Sequence, residues 1–167
     1  HYIIFCTQKG TVKKTVLEAF SRPRQNGIMA ITINEGDSLM DVRLTNGNSD
    51  IIIASKYGRA VRFSETKVNP MGRTAAGVRG ITLSEEPGDE VIGLICTDMT
   101  IENNTSTILS VSEKGYGKRS AVEEYRLTNR GGKGVITMNV TEKTGQLIAI
   151  KEIQENKQSL ISLQQAN

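Results

Sequence analysis

The chain has 167 residues, of which 37% are hydrophobic, 23% charged and 4% aromatic, with no tryptophan, 16 glycines and a formal net charge of +3. This length suits one domain or a few small repeats, and the apolar share is enough for a packed core, so wholesale disorder is excluded. The single histidine is His1, which excludes Ser-His-Asp and Cys-His hydrolases and zinc sites other than all-cysteine ones. The first ten residues, HYIIFCTQKG, have neither a basic head nor a cleavage site, so they do not read as a signal peptide. Without an initiating Met the sequence reads as a segment of a longer chain. The longest apolar runs are those such as Val91 to Cys96, far short of a bilayer span, so no membrane partner is expected. Cys6 and Cys96 lie 90 residues apart with no CxxC motif, which points to buried thiols in a reducing, cytoplasmic compartment rather than to disulfides.

Along the chain a unit recurs. Ile3 to Phe20 (IIFCTQKGTVKKTVLEAF) returns as Ile51 to Val68 (IIIASKYGRAVRFSETKV) and as Ile108 to Tyr125 (ILSVSEKGYGKRSAVEEY). Each unit is an apolar run, a glycine (Gly10, Gly58, Gly115) and a basic run. A second glycine (Gly27, Gly77, Gly134) follows at a distance of 17, 19 and 19. A third element starts at Asp37, Asp89 and Gly145. The first glycines give periods of 48 and 57, with the extra residues assigned to the polar loop at Met99–Thr107. The repeats therefore span 1–47, 48–104 and 105–156, and 157–167 reads as the opening strand of a fourth.

A period near 50 with about four short runs rich in Ile, Val and Thr predicts propeller-like blades. Alternation in Ile31–Ile33 and Val61–Phe63 supports strands, and the Gly, Asn and Asp punctuation supports turns. The glycines are expected to hold positive-φ turn positions. The only helix-like pieces are Thr15–Phe20 and Ser120–Tyr125, and their sister at 62–68 reads equally well as a strand with a turn. The chain is read as all-β. Open sheet edges at the ends of a partial array are expected to make it marginal in stability or self-associating.

Charge is unevenly distributed. The windows Lys9–Arg24, Lys56–Arg79 and Lys114–Lys133 hold 17 of the 21 basic residues and only 4 of the 18 acidic ones. They sum to +13 against −10 for the rest, and they occupy the same place in each repeat. One such window is as readily ordinary solvated surface, but three in register predict a continuous basic rim for a polyanion. Aromatic residues are too few for stacking on single strands, and no major-groove helix appears. Backbone contact with duplex DNA remains. An acidic protein partner on a propeller-like interaction scaffold is the alternative, separable by its weaker response to salt. The phosphate-contacting choices are Lys13, Lys14, Arg59, Arg62, Lys118 and Arg119, followed by Arg22, Arg24, Arg73 and Arg79.

No motif supplies catalysis. Arg130-Gly-Gly-Lys-Gly134 and Gly117-Lys-Arg-Ser120 both fail the phosphate-loop pattern. As glycine-rich backbone flanked by cations, each can equally be a tight turn or a close approach to DNA phosphate. Glu85-Glu86 and Asp89-Glu90 read as a solvated turn. No catalytic residue, no metal site and no cofactor is expected in the chain.

The series GTVKKTVLEAF…NGIMAITI…GDSL, KYGRAVRF…MGRTAAGVRGITL and EKGYGKRSAVEEY…RGGKGVITM resembles the C-terminal domain of the DNA gyrase A subunit over nearly the whole chain. The resemblance implies a β-pinwheel in which blades exchange strands, here a partial array of about three blades from a domain that usually has six. It implies a basic rim that wraps duplex DNA in support of ATP-dependent negative supercoiling. The partners it implies are the rest of the gyrase A subunit, together with the gyrase B subunit. The catalytic tyrosine and the ATPase, with its ATP and Mg, would lie outside this chain. The family's box Q-R-R-G-G-K-G has its nearest match at Thr128–Gly134, which keeps five of seven positions. Arg130, Gly131, Gly132, Lys133 and Gly134 are carried over from it as DNA-proximal. The C-terminal domain of the topoisomerase IV A subunit is the runner-up resemblance.

Overall fold

Each repeat opens with a β-hairpin whose turn is written in the sequence as Ser/Thr-x-x-Gly. The computed structural model describes residues 1–22, 24–101 and 105–154. In it the amides of Gly10, Gly58 and Gly115 donate to the carbonyls of Thr7, Ser55 and Ser112 at 3.0–3.1 Å. The hydroxyls of those same three residues accept from the amides of Thr11, Arg59 and Tyr116. The three glycines sit at φ of +94°, +92° and +90°, a left-handed conformation that closes a tight hairpin and that residues with a Cβ adopt only with strain.

The strands are β1 (Tyr2–Thr7), β2 (Thr11–Val16), β3 (Leu39–Thr45), β4 (Ser49–Ser55), β5 (Arg59–Ser64), β6 (Val78–Arg79), β7 (Val91–Asp98), β8 (Thr107–Ser112), β9 (Gly117–Ala121), β10 (Val135–Ile136) and β11 (Leu147–Ile153). They form three antiparallel sheets in the orders β3-β1-β2-β6, β7-β4-β5-β10 and β11-β8-β9. β6 belongs to the second repeat but pairs with β2 of the first, Thr11 opposite Arg79 and Val12 opposite Val78. β10 of the third repeat pairs likewise with β5 of the second, Val135 opposite Ala60. Each of the first two sheets is thus completed by two residues of the following repeat. Among the described residues β9 has no fourth strand beside it. The proposed fourth unit at 157–167 lies outside the described residues.

The helix-like reading of Thr15–Phe20 and Ser120–Tyr125 is corrected. In all three repeats a strand runs on to Val16, Ser64 or Ala121 and then closes into a single 3-10 turn, at Leu17–Phe20, Glu65–Lys67 and Val122–Glu124. β-branched and basic residues on the strand side keep these segments extended, and too few residues remain for a full α-helix.

Two cores separate three blades. β4 is buried along its whole length. Ile51 and Ile53 face a cluster with Ile4, Cys6, Val12, Phe63, Ile81 and Leu94. Ile52 and Ala54 face the other way, onto Ile95, Ile108, Val122, Tyr125, Leu147 and Ile150. A strand covered on both faces needs no polar alternation, which is why this stretch reads as a continuous apolar run. Each buried isoleucine contributes roughly 1.5–3 kcal/mol. β7 touches both β3 and β11, so these edge strands converge, and the exchanged strands β6 and β10 form the opposite edges of the first two sheets.

Cys96 packs against the first core, in which Cys6 is buried. Burial is the main cause that raises both thiols from their ordinary value of 9.0, Cys96 to about 12 and Cys6 further still. Neutral thiols favour the folded state. Their contribution is complete below pH 9, where both states are protonated, and is lost as pH climbs from there toward 12, because the unfolded chain releases its protons first. At pH 8 an alkylating reagent should label the urea-unfolded chain and leave the native one unlabelled. Equal labelling rates would contradict this packing.

Candidate nucleic-acid interface

The basic windows divide into an interior set and a rim set. Lys13 is fully buried. Its ammonium lies 5.3 Å from the centre of the Phe5 ring and donates to the carbonyls of Ala30 and Arg73, both at 2.5 Å. Desolvation lowers its pKa from the ordinary lysine value. Lys14 is buried as well. It pairs with Glu65 at 3.2 Å, reaches the Glu65 carbonyl at 3.4 Å and lies 4.2 Å from the Tyr2 ring centre. Arg62 is half-buried, pairs with Asp50 at 2.8 Å, and donates to the carbonyls of Val122 and Tyr125 at 3.3 and 3.1 Å. Lys13, Lys14 and Arg62 are therefore corrected from outward phosphate contacts to internal ties. Lys14 and Arg62 occupy the same register, four residues after the hairpin glycine. Each reaches a carbonyl in the 3-10 turn of the next repeat.

The rim set faces outward. Arg22, Arg24, Arg59, Arg79, Lys118, Arg119, Arg130 and Lys133 are exposed and Arg73 is half-buried. The loop that carries Arg73 and the loop that carries Arg130 and Lys133 each dock onto the preceding repeat. Thr32 of the first repeat donates through its hydroxyl to the Thr74 carbonyl at 2.5 Å and through its amide to the Ala75 carbonyl at 3.3 Å. Thr82, at the equivalent place in the second repeat, donates in the same way to Gly131 at 2.6 Å and Gly132 at 2.9 Å. Arg22, Arg24 and Arg73 line one shallow cleft of about 430 Å³. Arg59 and Lys133 line another of about 720 Å³, together with Glu85, Glu86 and Asp89. Arg130 donates to the carbonyls of Lys67 and Arg79, both at 3.1 Å, which sets it beside Arg79. Lys118 and Arg119 lie on β9, where the Arg119 Nε donates to Thr107 at 2.8 Å.

The glycine-rich box is built differently from an open phosphate cradle. The amide of Gly131 donates to the Gly80 carbonyl at 2.8 Å. A Cβ at Gly134 would stand 2.2 Å from the Ala60 carbonyl oxygen. Gly131, Gly132 and Gly134 thus seat the loop on the preceding repeat, and Arg130 and Lys133 are the cations it presents.

Lys67 and Arg126 are exposed and line a common depression, though sequence reasoning counted them without selecting them. Their signal is position: they flank Val68 and Tyr125, the buried residues that end the 3-10 turns, and so lie outside the strands. The acids Glu85 and Glu86 are exposed on a turn. The Asp89 carboxylate accepts from the amides of Tyr57, Ser84 and Glu90, a bracing role rather than an acid–base one. Tyr125 is buried against the Thr137 hydroxyl at 2.5 Å. Among the described residues no group of three or more His, Cys, Asp or Glu could hold a metal ion, and no helix is long and apolar enough to cross a membrane.

The family model described as DNA gyrase C-terminal domain, beta-propeller, matches residues 1–46, 49–98 and 106–154. The chain belongs to this family. It is 46% identical over 153 residues to the DNA gyrase A subunit of Staphylococcus aureus strain MRSA252, an alignment covering 92% of this chain and 17% of that protein. The same figures hold for the subunit of strain NCTC 8325. The chain thus spans about a sixth of the length of these curated relatives. Among solved structures, a C-terminal domain of DNA topoisomerase IV matches at a TM-score of 0.79 and 26% identity, over 93% of this chain and 46% of that one. A DNA gyrase A C-terminal domain matches at 0.76 and 25%, over 93% and 49%. The Escherichia coli ParC C-terminal domain, at 0.67 and 16% identity, shares the fold. The all-β, strand-exchanging architecture of this gyrase C-terminal family is therefore the one the sequence resemblance implies.

Proposed function

We propose that this chain binds and wraps duplex DNA without catalysing any step, as the C-terminal domain of a gyrase A subunit. The observation that supports the reading is the docking of the basic loops of successive repeats through Thr32 and Thr82, an arrangement that would set their cations along one edge of the array. Such a line suits phosphates spaced along a duplex: cations neutralise them and release counterions, with no base reading. A duplex following the edge of several blades has to bend, at a cost of roughly 1–6 kcal/mol for 40–90° over a 20–30 bp site. Added phosphate contacts offset that cost. Arg22, Arg24, Arg59, Arg73, Arg79, Lys118, Arg119, Arg130 and Lys133 are the contacting residues, joined by Lys67 and Arg126.

In a cytoplasmic bacterial holoenzyme with the gyrase B subunit, the wrap would feed ATP-dependent negative supercoiling. The cleaving tyrosine, the ATPase and their ATP and Mg would lie elsewhere. The relatives at 46% identity are gyrase subunits, which favours gyrase over topoisomerase IV, since the solved domains of the two match about equally well.

A salt titration of binding to a duplex of about 40 bp tests this. Wild type should lose affinity steeply as salt rises. A variant with Arg22, Arg24, Arg79 and Lys133 changed to Ala should show a log K versus log salt slope shallower by about 3 to 4, at roughly 0.9 per phosphate contact. An unchanged slope would remove the rim from the interface.

A further inference from the structure

We infer that Lys13 is a positioning residue for the rim: it fixes the loop that carries Arg73 and, through it, the cleft shared by Arg22, Arg24 and Arg73. This rests on the DNA-binding reading above and goes beyond it by assigning a role to a cation that cannot itself touch DNA.

The blade does not need a lysine here. Three residues after the hairpin glycine the first repeat has Lys13, the second Val61 and the third Lys118. Val61 is buried in an apolar core, and Lys118 is exposed. A valine therefore satisfies the fold at this register. Burying an ammonium instead carries a desolvation cost that the site must offset with hydrogen bonds.

Those bonds have a pattern. One goes to Ala30, in the segment after Gly27, and the other to Arg73, in the loop of the next repeat. Thr32, two residues beyond Ala30, holds the neighbouring carbonyls of Thr74 and Ala75. Lys13 thus clamps the loop at Arg73 from the interior while Thr32 clamps it at 74–75 from outside. The loop is also held at Met71, whose amide donates to the Lys14 carbonyl at 2.7 Å, and its short turn is closed by the Ala75 amide donating to Gly72 at 3.2 Å; between these points it is Lys13 that holds the Arg73 carbonyl. Its Arg73 side chain shares the cleft with Arg22 and Arg24. Removing Lys13 frees the backbone from which Arg73 projects, and a cation on a mobile backbone contributes less to a fixed phosphate contact.

The test is a double-mutant cycle read by salt slope and by hydrogen exchange, on the 167-residue chain with a duplex of about 40 bp as probe. Lys13→Met, Arg73→Ala and the combined variant are compared. Each single change should lower the log K versus log salt slope by about 0.9, one phosphate contact, and the combination by the same amount once, because both act on one contact. The amides of residues 73–76 should exchange faster in Lys13→Met than in wild type. Should Lys13→Met fail to fold, Lys13→Val is the substitute, since Val61 shows that the blade accepts it, and the same readings are expected. A slope unchanged in the Lys13 variant, or one lowered twice over in the combination, would overturn the inference. Unchanged exchange at 73–76 would do the same. Wild type binding without salt dependence would instead sink the DNA reading itself.

Discussion

Replacing Glu65 with alanine should destabilise the chain by about 3–5 kcal/mol, the cost of breaking a buried ion pair from one side. Glu65 has no exposed surface. One carboxylate oxygen accepts from the Thr45 hydroxyl at 3.0 Å and the other from the Ser49 amide at 2.9 Å, while Lys14 pairs with it at 3.2 Å. The side chain thus ties together three places: the end of β3, the start of β4 and the β2 strand of the preceding blade. Without it, Lys14 loses its ion-pair partner in a closed site, and the Ser49 amide loses its acceptor. The change is expected in urea unfolding as a lower midpoint with the slope preserved. Lys14→Met combined with Glu65→Leu should recover much of the loss, since an apolar pair of similar volume leaves no orphan charge. A Glu65→Ala midpoint within 0.5 kcal/mol of wild type would contradict the tie.

Gly77→Ala should be nearly as damaging, and Gly27→Ala mild, although the two occupy the same place in successive repeats. Both have positive φ, +104° and +78°, so each substitution carries a conformational penalty of about 1 kcal/mol. The difference lies in what a Cβ would meet. At Gly77 it would stand 2.3 Å from the Val12 carbonyl oxygen, and at Gly27 nothing lies within 4 Å. Backbone has to move at Gly77, and the strand that moves is β6, which completes the first sheet. A loss of roughly 3 kcal/mol or more is expected. The measurement is the pair of thermal midpoints. Equal midpoints for the two variants would show that the exchanged strand adds nothing at that contact.

Local turn chemistry is what made the repeat readable. Ser/Thr-x-x-Gly closes each hairpin with its own hydroxyl and a left-handed glycine, and both requirements are visible in single residues such as Ser55 and Gly58. The continuous run at Ile51–Ala54 likewise announces a strand covered on both faces. Strand exchange is not visible in this way. β6 and β10 are two residues each, too short for any periodicity, and they are strands only because Val12 and Ala60 of the preceding repeat lie opposite them. The burial of Lys13, Lys14 and Arg62 is not legible for another reason. Counting charge treats every lysine as exposed, and nothing local to Lys13 says that Ala30 and Arg73 offer it carbonyls from distant parts of the chain. One hint was present at Lys14 and Arg62: Glu65 and Asp50 are isolated acids beside or within strands, where a carboxylate has little reason to be unless a cation is buried with it.

The offset between repeat and blade gives synthesis a direction. The first three strands of a blade leave the ribosome together, ending for the first blade at Thr45, yet the fourth place in that sheet stays vacant until Val78 and Arg79 emerge. Each nascent blade therefore waits on its successor, and each successor seals the one before it. A copy of the repeat gained or lost by recombination preserves this order when one whole period is added or removed, because every hairpin is then still followed by the strand that finishes its neighbour.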